Sequence, residues 1–132
     1  MGTNYYFRVS PKLVKGVIGF LKDKNVSDYL IEILSLGFSQ VIHIGKRSYG
    51  WKPLFKQTKW YNSVRELKSF YENNKNDLEI INGDEDIIDF KELEKELINW
   101  DGGNCICNPG MRKDKYCFRD SDGYEFCTVQ FS

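Results

Sequence analysis

Residues 105–127 read CICNPGMRKDKYCFRDSDGYEFC and hold every cysteine of the 132-residue chain. The second half of this stretch predicts a β-hairpin. Two strand-like runs flank Ser121-Asp122-Gly123, and with the glycine in the left-handed position of a three-residue loop, Asp120 faces Tyr124. That register sets Cys117 opposite Cys127. Facing residues hold their Cβ atoms about 4.5–5.5 Å apart on one face, which suits two thiolates on one cation and is compatible with a disulfide after adjustment. Cys105 and Cys107 share one side of an extended segment bounded by Gly103 and Pro109-Gly110. A C-x-C pair is too short to close on itself as an unstrained disulfide, yet both thiolates can converge on a metal. The expectation is one structural Zn²⁺ held by Cys105, Cys107, Cys117 and Cys127, with no open position for a water nucleophile. The spacing C-x-C-x₉-C-x₉-C is not the paired C-x-x-C knuckle and does not identify a zinc class. Ordinary buried thiols are the plain alternative, and a variant replaces one cysteine with His43, the only histidine.

Outward from this hairpin, the N-terminal TNYYFRV has the aromatic and β-branched content of a strand. Ser10 before Pro11 supplies the N-cap and first-turn proline of a helix on which Leu13, Val14, Val17, Phe20 and Leu21 share a face. Ser27 caps a second helix, DYLIEILSL, closed by Gly37 and expected to bury Leu30, Ile31 and Leu34. QVIHIG and GWKPLF flank KRSY as a hairpin with Pro53 at an edge or bulge. Ser63 to Glu66, SVRE, is a capping box that opens a third helix through Tyr71. LEIIN and DIID form a short strand pair around GDE, and Asp89 with Glu92 opens a fourth helix, FKELEKELINW. Strands and helices do not alternate regularly. The class is therefore α+β: a small mixed sheet with about four short helices and a C-terminal hairpin stapled by metal, in a single domain spanning residues 1–132.

Apolar residues make up 41% of the chain and aromatic residues 15%, enough apolar area to offset the ordering entropy of a folded domain. No run of eighteen apolar residues and no basic-then-apolar leader is present, so the expected location is the cytoplasm. A reducing compartment favours metal over disulfide for clustered cysteines. Net charge is zero, but residues 1–76 carry 13 Lys/Arg against 5 Asp/Glu and residues 77–101 carry 2 against 10. This segregation predicts a strongly polar charge surface. With one histidine, no G-x-S-x-G, no Gly-rich phosphate loop and no H-E-x-x-H, no catalytic set emerges.

Three blocks, MGTNYYFR at the start, IHIGKRSYGW in the middle, and DSDGYEF with the closing FS, resemble a family of small phage and prophage proteins. That pattern opens with G-T-N-Y-Y, carries H-I-G-K-S and G-W, and ends in a D-x-x-G-Y-x-F hairpin. The family usually has a C-x-x-C knuckle before the histidine strand, where this chain has SPKLVKGVIGFLKDKNVSDYLIEILSL. Its metal site is therefore not carried over position by position, and the four C-terminal cysteines would preserve a metal-stapled fold by another route. Among such proteins the chain resembles the streptococcal type II-A anti-CRISPRs, zinc-containing inhibitors that bind the recognition lobe of Cas9 and interfere with target-DNA loading. The resemblance implies a phage-encoded, non-enzymatic protein acting in the host cytoplasm with Cas9 as partner. Because the nucleic-acid channel of Cas9 is basic, Asp84, Glu85, Asp86, Asp89, Glu92, Glu94 and Glu96 are the expected docking residues, against the plain reading of a solvated helix face.

Two further readings stand beside this one. The first is a zinc-stabilised nucleic-acid binder using Lys46, Arg47, Lys52, Lys56 and Lys59 with Trp51 and Trp60 interleaved, since phosphate contact and base stacking need that mixture. The second is a structural phage accessory protein with no inhibitory role.

Overall fold

The computed structural model describes residues 2–103, 105–108 and 115–131. Its framework is one mixed seven-stranded sheet of order β5-β4-β1-β2-β3-β7-β6. The strands are β1 (Thr3–Val9), β2 (Val41–Ser48), β3 (Trp51–Lys56), β4 (Leu78–Asn82), β5 (Ile87–Ile88), β6 (Cys117–Arg119) and β7 (Glu125–Cys127). All neighbours are antiparallel except β3 and β7, which run parallel with Phe55 beside Phe126. The helices are α1 (Pro11–Asp23), α2 (Asp28–Phe38), α3 (Val64–Asn74) and α4 (Phe90–Leu93), the last continuing as a π-helical turn, Glu94–Ile98. The α+β class follows directly.

Each helix begins where a short polar side chain accepts an otherwise unsatisfied amide. Ser10 accepts from Leu13, Ser27 from Leu30, Ser63 from Glu66 and Asp89 from Glu92. At α3 the Glu66 carboxylate also reaches back to the Asn62 amide at 3.1 Å. No helix among the described residues is long and apolar enough to cross a membrane.

The core lies on one face of the sheet. Tyr5 and Phe7 of β1, Ile44 of β2, Phe55 of β3, Ile80 of β4 and Phe126 of β7 meet Val64 and Leu67 of α3 and Leu93, Leu97 and Ile98 of the fourth helix. Close approach of β2 and β3 needs a glycine at 45, because a Cβ there would lie 2.6 Å from the Leu54 carbonyl oxygen. The opposite face carries His43, with Tyr6 stacked on it at 5.1 Å.

Two expectations need correcting. The β2–β3 turn is at Tyr49-Gly50, not KRSY: Lys46 and Arg47 stay in the ladder, and the left-handed φ of 84° falls on Gly50. Pro53 sits where the register slips between Lys46 and Ser48, a position where its missing donor costs no ladder bond. The second correction concerns α1 and α2. Of the expected stripe Leu30, Ile31 and Leu34, only Ile31 is buried, and α1 has no buried residue. The pair forms a helical hairpin between β1 and β2, strands that pair directly with each other, and it leaves Phe20, Tyr29, Leu30, Ile33, Leu34 and Leu36 about half or more in water.

Candidate functional site

The C-terminal ribbon forms in the expected register. Gly123 has φ 87°, the Asp120 amide donates to the Tyr124 carbonyl at 2.9 Å, and Cys117 faces Cys127. Asp120 organises this end. Its Oδ1 accepts from the amides of Asp122 and Tyr124, and its Oδ2 accepts from the Val64 amide at the start of α3. The exposed Arg65 guanidinium pairs with Asp122 at 2.8 and 3.1 Å.

Cys105 and Cys107 lie at the other end of the same edge. Ile106, between them, pairs with Trp51, and its carbonyl accepts from the Lys52 amide at 2.8 Å, so this segment runs beside the start of β3. Cys127 pairs with Lys56 at the end of β3, five strand positions or about 16 Å farther along. The Cys105 thiol donates to the Gly102 carbonyl at 3.3 Å, and the Cys107 sulfur accepts from Arg119 at 3.0 Å. Among the described residues no three His, Cys, Asp or Glu side chains are placed to hold a metal ion. A tetrahedral ion holds each of its four sulfurs about 2.3 Å from the metal, so a shared Zn²⁺ requires the two pairs to approach each other. Residues 109–114, which join the two pairs and include the Pro109-Gly110 boundary, lie outside the described residues.

His43 is also committed elsewhere. Its Nε2 donates to Asn4 Oδ1 at 2.9 Å, and its Nδ1 accepts from Gln130 Nε2 at 3.0 Å. Phe131 packs against the ring at 4.6 Å. Burial lowers its pKa to about 4; Lys56 and Lys46 press the same way against a raising backbone hydrogen bond with Gly45. Both ring nitrogens of the neutral tautomer are thereby occupied, leaving neither for a metal.

The seven acidic candidates divide. Asp84, Glu85 and Asp86 form the exposed β4–β5 turn, whose shape is set by Asn82: its Oδ1 accepts from the amides of Asp84 and Asp86, and its carbonyl accepts from the Glu85 amide. Asp89 and Glu92 follow, exposed, in the first turn of α4. These five acids line the β5 end of the sheet. Glu94 and Glu96 turn away: Glu94 lies 3.8 Å from Lys68, and Glu96 accepts from the Tyr5 hydroxyl at 3.0 Å. Burial raises the Tyr5 pKa; the Arg47 charge opposes the rise, and the Glu96 bond reinforces it.

The basic candidates do not make one stripe. Arg47 lies over the Trp100 ring at 4.7 Å and donates to the Glu96 carbonyl, whereas Lys46 and Lys56 act on His43 from the sheet's other face. Lys52 is exposed on β3 beside the half-buried Trp51. Lys59 covers the ring of Trp60, which packs on Phe70.

One buried group went unread in the sequence. Glu125 is fully buried; its Oε1 accepts from both the amide and the side chain of Asn108, while Arg119 stands 3.7 Å from Oε2. The signal was local alternation in Tyr124-Glu125-Phe126, which places Glu125 on the face opposite Phe126, but nothing local says that both faces are covered. No family model, curated protein or solved structure matches the chain.

Proposed function

We propose that this chain is a non-catalytic blocking protein of the anti-CRISPR type, which acts in the host cytoplasm by binding the recognition lobe of Cas9 and obstructing target-DNA loading. The observation that supports it is the acidic end of the sheet: Asp84, Glu85, Asp86, Asp89 and Glu92 are exposed together on a turn and a helix start held in shape by hydrogen bonds to Asn82 and Asp89. A rigid anionic ridge suits a groove lined with Lys and Arg, where it competes with phosphates for the same cations. Assignment of the groove to Cas9 rests on the resemblance of the three sequence blocks. Glu94 and Glu96 drop out of the contact set, being engaged within the fold. One Zn²⁺ per chain, held by Cys105, Cys107, Cys117 and Cys127, would require the two cysteine pairs to converge.

The test combines a Cas9–guide pull-down and a DNA-loading assay with the variant D84K/E85K/D86K/E92K. These four side chains are exposed, so circular dichroism should be unchanged. Loss of Cas9 capture and of inhibition supports the proposal; full inhibition by the folded variant removes this ridge from the mechanism. Salt-dependent binding of the isolated wild-type chain to DNA would transfer the function to the nucleic-acid reading instead.

A further inference from the structure

A helix that is apolar nearly all round is ordinarily a buried one. On α2 the polar positions Asp28, Glu32 and Ser35 follow an i, i+4, i+7 spacing and occupy one narrow strip, leaving the rest of the circumference apolar. Yet only Ile31 is buried there, at 6% exposure, whereas Tyr29 is 71% and Leu36 69% exposed. Leu30, Ile33 and Leu34 stand about half in water, and Phe20 of α1 is 59% exposed. These six side chains leave on the order of 700 Å² of accessible surface uncovered on one helical hairpin. That approaches the roughly 800 Å² which each partner contributes to a standard specific interface.

Among the described residues the rest of the molecule offers no matching apolar surface: other exposed large hydrophobics, such as Trp60, Ile87 and Val129, come from separate elements. The same face on a second copy does match. Charge supplies the pairing rule. The α1 segment carries Lys12, Lys15, Lys22 and its C-cap Lys24 against Asp23 alone, whereas α2 carries Asp28 and Glu32 and no base. Among the described residues, none of these charges forms an ion pair. A two-fold axis that lays α1 across the partner's α2 brings cationic helix to anionic helix twice, while α1 on α1 would set like charges together.

We infer that the α1–α2 hairpin is a self-association surface, on which two copies of this chain close an isologous four-helix contact with each α1 against the partner's α2. Sedimentation equilibrium of the full chain is expected to return a reversible dimer. L30E/I33E should weaken it at least about 100-fold, since both side chains are anchors at the interface centre, with circular dichroism unchanged. A chain with Lys12, Lys15 and Lys22 reversed to Glu, and another with Asp28 and Glu32 reversed to Lys, should each sediment as monomer alone and form a one-to-one complex when mixed. A wild-type chain monomeric at its highest soluble concentration overturns the inference. So does a dimer that survives L30E/I33E, or a mixture of the reversed chains that fails to associate.

Discussion

The Asp120 carboxylate accepts the backbone amide of Val64 at 2.9 Å, across 56 positions of sequence, and so ties the C-terminal ribbon to the first turn of α3. One side chain thereby serves two elements, since its other oxygen shapes the ribbon's own loop. A carboxylate at a helix N-terminus also complements the helix dipole.

Removing that carboxylate tests the tie. Asp120→Ala is expected to cost about 2 kcal/mol, the upper end for loss of a helix cap, because the same change frees three amides. Asp120→Asn should recover part of it. Urea unfolding read by circular dichroism measures both, whereas Asp122→Ala, which cuts only an exposed pair with Arg65, should leave the urea midpoint unmoved.

The neutral His43 makes stability depend on acid. Its folded pKa of about 4 lies below the ordinary value of 6.5, so between these pH values the unfolded chain binds more protons than the folded one and stability falls as pH falls. The contribution is complete above pH ~6.5 and is lost on the way down to about 4, amounting to no more than about 3 kcal/mol. Replacing His43 by Gln should flatten this segment of the pH–stability curve. A variant with the wild-type slope would show that other groups carry the acid sensitivity.

Gly45 is expected to be intolerant of any side chain. A Cβ placed 2.6 Å from the Leu54 carbonyl oxygen forces β2 and β3 apart at the centre of the sheet, and overpacking of this kind costs about 1–3 kcal/mol. Gly37, around which a Cβ would meet nothing, is the control: Gly37→Ala should not lower the melting temperature.

The cysteines give the sharpest geometric test. Thr128 and Asp120 donate to Tyr116 and Tyr124, so Cys117 and Cys127 occupy the alternate, non-hydrogen-bonded pair, where Cα atoms approach to about 4.5 Å. Oxidised glutathione is expected to join Cys117 to Cys127, each sulfur losing its proton and the pair of electrons passing to the glutathione disulfide. Peptide mapping that links Cys105 or Cys107 to Cys117 or Cys127 instead would show that the two pairs converge in solution. Elemental analysis for zinc on the same preparation reads the same question independently.

How much of this was legible depended on the range of the interaction. The caps at Ser10, Ser27, Ser63 and Asp89, the left-handed Gly123 and the facing of Cys117 with Cys127 are set within a few residues, and each was readable in the sequence. The parallel pairing of β7 with β3, the exposure of α1 and α2 and the position of Cys105–Cys107 beside Trp51 depend on which strand edge is open when the chain returns. The stripe on α2 shows the limit well: periodicity identified an apolar helix, but not whether the surface that covers it belongs to this copy of the chain. Among the acids, the sequence grouped seven, and only tertiary contacts with Tyr5 and Lys68 separate Glu96 and Glu94 from the exposed five.

The parallel pairing of β3 with β7 has a consequence for the order of folding. Phe126 must slot beside Phe55 to close the core, and the two strands are remote in sequence. Closure is therefore expected to be slow for so small a protein, as pairings between remote segments are, and pulsed proteolysis during refolding should cut near β3 early and spare it once the ribbon has docked.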